Sequence, residues 1–302
     1  LTRALGGPSL WVKRDDQTTV ALGGNKVRKL EFLLADALAQ GADTLVTAGG
    51  VQSNHACLTA AAAARSGLAC ELVLGAERPL GIASGNLLLD RLFGATVHWT
   101  SRDLRTRRMG ELGRELRDRG HRPYVIPIGG SNALGTLGYV DAMFELVQQL
   151  EEIPLQVDHV VVATSSGGTL AGLQLGAKLS GFSGNLTGIS IDQGPEFTTE
   201  LAGLANASAA LLEVDERLAP TDFTLNADYL GAGYGIVGDA EREAMALCAR
   251  SDALLVGPVY TARAMAGLID LIGRHSFGRG ESVLFWHTGD VAPLFAYAEE
   301  LF

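Results

Sequence analysis

The residues best suited to chemistry are few, and each stands beside glycines. Lys26 follows Gly23-Gly24-Asn25. Apolar Val27, Leu30, Leu34 and Leu38 then recur at helical spacing, so Lys26 falls in the first turn of a helix that Asn25 is expected to cap. A cation there meets the positive end of the helix dipole, and Arg28 and Lys29 add positive charge. Each effect favours the neutral amine, the nucleophile that Schiff-base chemistry requires. A lysine at a helix start is more often an ordinary solvated residue, so spacing alone leaves both readings open.

Ser165-Ser166-Gly167-Gly168-Thr169 is a stronger signal. An apolar run delivers a glycine-rich turn to a helix start, where backbone N–H groups, hydroxyls and the dipole all favour an anion. The run has no Walker lysine and no dinucleotide G-x-G-x-x-G pattern. A phosphate monoester is its natural occupant, an ordinary capped turn the plainer reading. Gln52-Ser53-Asn54-His55 makes a second helix start, suited to a carboxylate or simply to a cap. Taken singly, His55 reads as a polar helix-start residue. Tyr234 lies between Gly233 and Gly235, and Tyr260 follows Pro258-Val259. Phenols in such loops act as acid, base or clamp, or else pack an interface. Thr288, in Trp286-His287-Thr288-Gly289-Asp290, ends the last apolar run. A phosphate cradle, a Schiff-base lysine and a carboxylate pocket together suggest pyridoxal phosphate.

These residues need a scaffold that brings turns together, and the remainder of the chain reads as one. Strands are expected at Leu10–Asp16, Thr44–Ala48, Cys70–Leu74, Ala95–Trp99, Tyr124–Ile126, Val160–Ala163, Leu186–Ile191 and Val283–Trp286. Helices are expected from Asn25 to about Gln40, Ser53 or Asn54 to Arg65, Ala83 to Phe93, Leu104 to Arg119, Leu137 to Leu150 and Thr169 to Leu179. Further helices are expected at Pro195–Leu212, Asp239–Ser251, Thr261–Arg274 and Asp290–Leu301. The helix from Leu104 to Arg119 is charged and reads as surface-facing. Strand and helix alternate, which means an α/β fold with mainly parallel sheets. The length suggests two packed α/β domains: a smaller one over 31–136, and a larger one over 1–30 and 137–302 that carries the phosphate loop. In such sheets ligands sit at the carboxyl ends of strands, which is where the unusual residues cluster.

Composition narrows the partners. The 302 residues are 47% hydrophobic and 19% charged with 38 glycines, as in a globular protein with many tight turns. A net charge of −10 with no basic run offers nothing to nucleic acid or an anionic membrane, and no apolar stretch is long enough to span one. Cys57, Cys70 and Cys248 are an odd number without metal spacing, so they read as reduced thiols and no metal is expected. Reduced thiols and the absence of a visible signal peptide suggest a cytoplasmic protein, although a chain starting at Leu1 is expected to lack upstream residues.

With those motifs in order, the chain resembles the D-cysteine desulfhydrase and 1-aminocyclopropane-1-carboxylate (ACC) deaminase family of fold type II pyridoxal-phosphate enzymes, related to the tryptophan synthase β chain. Lys13 to Asp16, Gly23 to Glu31, Gly49 to His55, Ser165 to Gly172, Tyr234-Gly235, Pro258 to Tyr260 and His287 to Gly289 carry the resemblance. It implies a site between the two domains in which Lys26 holds the cofactor covalently. Asn54 would meet its phenolic oxygen, Ser166, Gly167, Gly168 and Thr169 its phosphate, and Thr288 its pyridine nitrogen. Ser53, Asn54 and His55 would face the carboxylate of a small amino-acid substrate, with Tyr234, Tyr260 and Thr261 around its reacting side chain. His55 and Thr261 match the desulfhydrase branch, where the deaminase branch typically has Gln and Glu. The implied reaction is β-elimination, with D-cysteine giving pyruvate, ammonia and sulfide, in a homodimer. An ACC deaminase, a lyase for another β-substituent such as the sulfonate of cysteate, and a pyridoxal-binding protein without turnover are the alternatives. Two departures sit beside the site: Gly257 replaces a common aspartate and Asp290 a common glycine.

Overall fold

The computed structural model describes residues 1–76 and 82–301. Their strands form two separate, wholly parallel sheets. The larger joins β1 (Ser9–Arg14), β6 (His159–Thr164), β7 (Asn185–Ser190), β8 (Thr224–Asn226) and β9 (Ser282–His287) in the order β1-β9-β6-β7-β8. The smaller joins β2 (Thr44–Gly49), β3 (Ala69–Gly75), β4 (Thr96–Thr100) and β5 (Pro123–Val125) in the order β4-β3-β2-β5. The helices are α1 (Thr2–Leu5), α2 (Asn25–Ala39), α3 (Asn54–Arg65), α4 (Gly85–Leu92), α5 (Arg105–Asp118), α6 (Ala133–Glu152), α7 (Gly168–Ser180), α8 (Thr198–Leu211), α9 (Asp239–Asp252), α10 (Thr261–Gly273) and α11 (Ala298–Leu301). Among the described residues no helix is long and apolar enough to cross a membrane.

The apolar runs form central strands because successive side chains point to opposite faces and both faces are covered. In β6 and β9, Val160, Val162, Leu284 and Trp286 enter one core, and Val161, Ala163, Val283 and Phe285 the other. In the smaller sheet Leu45, Leu72 and Leu74 pack on one side, and Val46 and Val73 on the other. Glycine brings two helices together: a Cβ on Gly172 of α7 would lie 2.5 Å from the Thr136 carbonyl oxygen and from Tyr139 Cβ on α6.

Four local expectations change. Asn25 does not cap α2; Gly24 does, and Asn25 instead donates from Nδ2 to Thr169 Oγ1 at 3.0 Å. Helix α6 begins at Ala133 rather than Leu137, because Asn132 caps it by accepting from Gly135 N–H at 2.8 Å. Strand β8 went unpredicted: at three residues it is too short to show a period. The expected helix from Asp290 to Leu301 is a 3₁₀ turn, Ala292–Phe295, followed by the short α11, since Asp290 has a left-handed φ of 81° that a helix cannot start through.

Candidate active site

The carboxyl ends of β2, β5, β6, β7 and β9 open on one cleft of about 100 Å³. Lys26 enters it from the first turn of α2. Its amine is pushed down to about 8, as the dipole argument expected in direction but not in cause. Burial is the cause, and Asp290 opposes it. Arg28 contributes little because its guanidinium is held elsewhere, by Asp15 at 2.9 Å and Glu145 at 2.8 Å.

The turn after β6 faces Lys26. Ser165, Ser166, Gly167 and Thr169 line the cleft, while Gly168 lies just behind. Ser131 is the support for this turn. Its hydroxyl shares a 2.8 Å hydrogen bond with Ser166 Oγ and accepts from Gly168 N–H at 3.2 Å and Lys29 Nζ at 3.0 Å. Lys29 is one helical turn beyond Lys26 and is fully buried, also donating to the Gly129 carbonyl. Burial, then the charge of Lys26, hold its amine well below the ordinary lysine value. A Cβ on Gly168 would fall 2.8 Å from Lys29 Nζ, so the missing side chain lets the amine lie directly behind the turn. Sequence reasoning took Lys29 only as positive charge near Lys26, and the i, i+3 spacing between them was the one signal that the two share a face.

Ser53 caps α3 by accepting from Ala56 N–H at 3.2 Å, with its side chain beside Gly49. Asn54 is held at both ends: Nδ2 donates to Asp290 at 2.7 Å and Oδ1 accepts from Asn86 at 2.7 Å. His55 departs from expectation. It borders the cleft, but its imidazole is only 3% exposed and Nε2 is engaged by Thr47 at 2.8 Å. Burial and the two lysines hold it far below the usual histidine value, so it is neutral. Thr261 is fully buried behind the cleft wall, and its hydroxyl secures the loop by accepting from Gly257 N–H at 2.6 Å and reaching the Gly289 carbonyl at 3.2 Å.

Tyr234 and Tyr260 share a 2.6 Å hydrogen bond between their hydroxyls, with rings edge to face at 5.9 Å. Burial raises both phenols, so they remain protonated at neutral pH and are proton donors rather than phenolates. Thr288 lies at the end of β9 in the cleft wall, and its carbonyl accepts from Asn25 N–H at 2.9 Å.

The two unusual residues noted beside the site prove to be neighbours. A Cβ on Gly257 would lie 1.6 Å from the Asp290 carbonyl oxygen and 2.7 Å from its Cβ, so Asp290 occupies space that only glycine at 257 leaves. The Asp290 carboxylate is 4% exposed and accepts from Asn54, from Tyr260 N–H at 2.9 Å and from Val259 N–H at 3.2 Å. It thus ties the start of α3 to the start of α10 across the cleft. Burial outweighs those donors and raises its carboxyl to about 7.

Comparison with known proteins decides the family. A model described as pyridoxal-phosphate dependent enzyme matches residues 1–289. The chain belongs to that family. It is similar to a solved ACC deaminase homologue at 38% identity, covering 99% of this chain and 90% of that one, with a TM-score of 0.89. It shares its fold with the processed form of threonine deaminase isoform 2 from Solanum lycopersicum, at 16% identity over 99% of this chain and 79% of that one, TM-score 0.68. Maize serine racemase has the same fold, at 18% identity over 99% and 88%, TM-score 0.67. The protein is therefore a pyridoxal-phosphate-dependent enzyme of fold type II. The cleft suits that cofactor chemically: a lysine amine with lowered pKa faces a hydroxyl- and N–H-rich turn, Ser165 to Thr169, at the start of α7.

Proposed function

We propose that this enzyme is a lyase that eliminates a β-substituent from a small amino acid, with D-cysteine as the reference substrate. The observation that carries the reading is the Tyr234–Tyr260 hydroxyl pair, two protonated phenols in the same cleft as a lysine of lowered pKa. Such a pair hands a proton to a departing group, while a neutral amine removes one from Cα. Similarity to the ACC deaminase homologue supports a deaminating chemistry, and His55 and Thr261 favour the desulfhydrase branch over its sister.

In this mechanism Lys26 would hold the cofactor, and its neutral amine would take the α-proton of the substrate. Pyridoxal phosphate, when bound, supplies the sink for the electron pair left on Cα. Ser166, Gly167, Gly168 and Thr169 would hold the phosphate, with Lys29 supporting the turn from behind through Ser131. Asn54, fixed by Asn86 and Asp290, would hold the cofactor's phenolic oxygen, and Thr288 would hold its ring nitrogen without adding charge. Ser53 and the N–H groups at the start of α3 hold the substrate carboxylate. Tyr234 and Tyr260 protonate the leaving sulfur. Overall, D-cysteine and one water give pyruvate, ammonia and hydrogen sulfide.

The test is release of pyruvate and sulfide from D-cysteine by the purified, cofactor-loaded protein. Activity on ACC with none on D-cysteine would move it to the deaminase branch. A loaded protein that forms a 2-oxo acid from neither of these nor from cysteate is a binder.

A further inference from the structure

Nothing in the sequence pattern singles out Arg263, and it does not line the cleft. It stands on α10 one turn after Tyr260, on the same helix face. Arginine is almost never fully buried unless it is paired. Here it is buried, and Glu241 in the first turn of α9 meets its Nε at 2.7 Å. Four of the five guanidinium N–H groups are engaged. Nε donates to Glu241, Nη1 to the Ile191 carbonyl at 3.0 Å and the Gly233 carbonyl at 3.1 Å, and Nη2 to the Ile236 carbonyl at 2.8 Å.

Two of those carbonyls flank Tyr234. The segment 227–238, from β8 to α9, contains no helix or strand. Among the described residues, its stretch 230–236 has one other backbone hydrogen bond, a 3.4 Å turn from Ile236 N–H to the Gly233 carbonyl. Arg263 therefore grips the chain just before and just after Tyr234 and draws it onto Ile191, which precedes the cleft residue Asp192. Glu241 closes the far end by accepting from Gly238 N–H at 3.0 Å. Gly231, at a φ of 60°, lets the loop fold over the guanidinium, since a Cβ there would come within 3.0 Å of Nη2. A lysine ammonium is a single point with three donors and cannot span these acceptors. A buried ion pair is a weak source of net stability, whereas a planar fork of fixed donors imposes one geometry.

We propose that Arg263 is a positioning residue for the phenol pair, holding the loop that carries Tyr234 so that one helix sets both hydroxyls. The proposal rests on reading that pair as the proton donor to the leaving group. Helix α10 places Tyr260 directly, at its N-cap, and Tyr234 through Arg263. The 2.6 Å bond between the hydroxyls tolerates little slack, because a shift of about 1 Å takes it out of hydrogen-bonding range. A misplacement of about that size costs a catalytic group up to about a hundredfold in rate.

The test has a kinetic arm and a structural one. β-Chloro-D-alanine expels chloride, which takes no proton, whereas the sulfur of D-cysteine takes one. With pyruvate as the readout, loaded Arg263→Lys should lose about tenfold or more in kcat on D-cysteine, with KM and the rate on β-chloro-D-alanine nearly unchanged. Tyr234→Phe should show the same selectivity, and adding Arg263→Lys to it should cost little more, because the hydroxyl to be positioned is gone. In the cofactor-free protein, amide hydrogen exchange over 230–236 should quicken in Arg263→Lys while β7 and the rest of α10 keep their protection. Equal losses on the two substrates, or losses that add in the double variant, would overturn the proposal, because Arg263 would then serve the fold. Should Arg263→Lys fail to fold, Arg263→Met combined with Glu241→Met removes both buried charges together and carries the same expectations. If Tyr234→Phe slows neither substrate, the proton-donor reading fails and the proposal with it. If the wild type releases pyruvate from neither substrate, the lyase reading fails and exchange alone decides: quickened exchange around Tyr234 supports the clamp, and unchanged exchange overturns it.

Discussion

Lys26 and Lys29 stand one helical turn apart, yet their surroundings set them different tasks. Lys26 opens to the cleft, and burial brings its amine to about 8. Capture of pyridoxal phosphate by the cofactor-free protein should therefore speed up as pH rises through about 8, where the neutral amine forms, and level off above it. A midpoint near the ordinary lysine value of about 10.4 would show that burial does not tune this amine. Borohydride reduction should fix the cofactor on the peptide bearing Lys26, and Lys26→Ala should abolish that attachment without unfolding the protein. Asp290 carries the opposite sign. Its folded-state carboxyl, raised to about 7, holds its proton where the unfolded chain has lost it. Between about pH 4, the ordinary aspartate value, and pH 7 the folded state binds more protons, so this residue's contribution to stability falls as pH rises. Urea unfolding at pH 5 and pH 8 should show wild type losing stability relative to Asp290→Asn, by about 1.4 kcal/mol per unit of pKa rise at most. Parallel curves for the two proteins would contradict that placement.

At the scale of elements, the site is a set of strand-to-helix turns held by what lies behind them. The turn from β6 into α7 was legible because glycine and hydroxyl residues before a helix announce an anion site locally. Its support was not. Ser131 stands 35 residues from Ser166 along the chain, and Lys29 a further 102 residues from Ser131. Lys29→Met keeps the stem's bulk and removes a buried amine, so the fold should survive. Affinity for pyridoxal phosphate should fall about tenfold or more, the scale of one hydrogen bond to a charged group. Affinity for pyridoxal, which lacks the phosphate, should change far less. Fluorescence titrations with the two ligands measure the difference, and equal losses would mean that Lys29 supports the fold alone. The start of α5 teaches the converse lesson. Its charge pattern reads as solvated surface, and only the neighbouring Gly75 and Tyr234 turn Arg105 and Arg102 toward a cavity.

Across the whole molecule, buried polar residues join segments that the sequence keeps far apart. Asp15, just after β1, accepts from Arg28 on α2 at 2.9 Å, from Tyr139 on α6 at 2.5 Å and from Trp286 on β9 at 2.8 Å. Asp15→Ala leaves Arg28 and two buried donors short of an acceptor, and should cost about 3–5 kcal/mol in denaturant unfolding. A cost below about 1 kcal/mol would show that water replaces the carboxylate. Local pattern along the chain was enough to establish the alternation of strands and helices, the parallel sheets, and the turns bearing Lys26, Ser53, Ser166 to Thr169 and Thr288. Those features follow from periodicity, glycine and the residue before a helix, all of which act within a few positions along the chain. Tertiary structure decided the orientations. It turned His55 to Thr47 and Thr261 to its own loop, freed Asn25 from capping, buried Lys29, and fitted Asp290 into the space that Gly257 leaves. Each of these depends on which backbone lies opposite, and a side chain's partners across a cleft are fixed by packing, not by its neighbours in sequence.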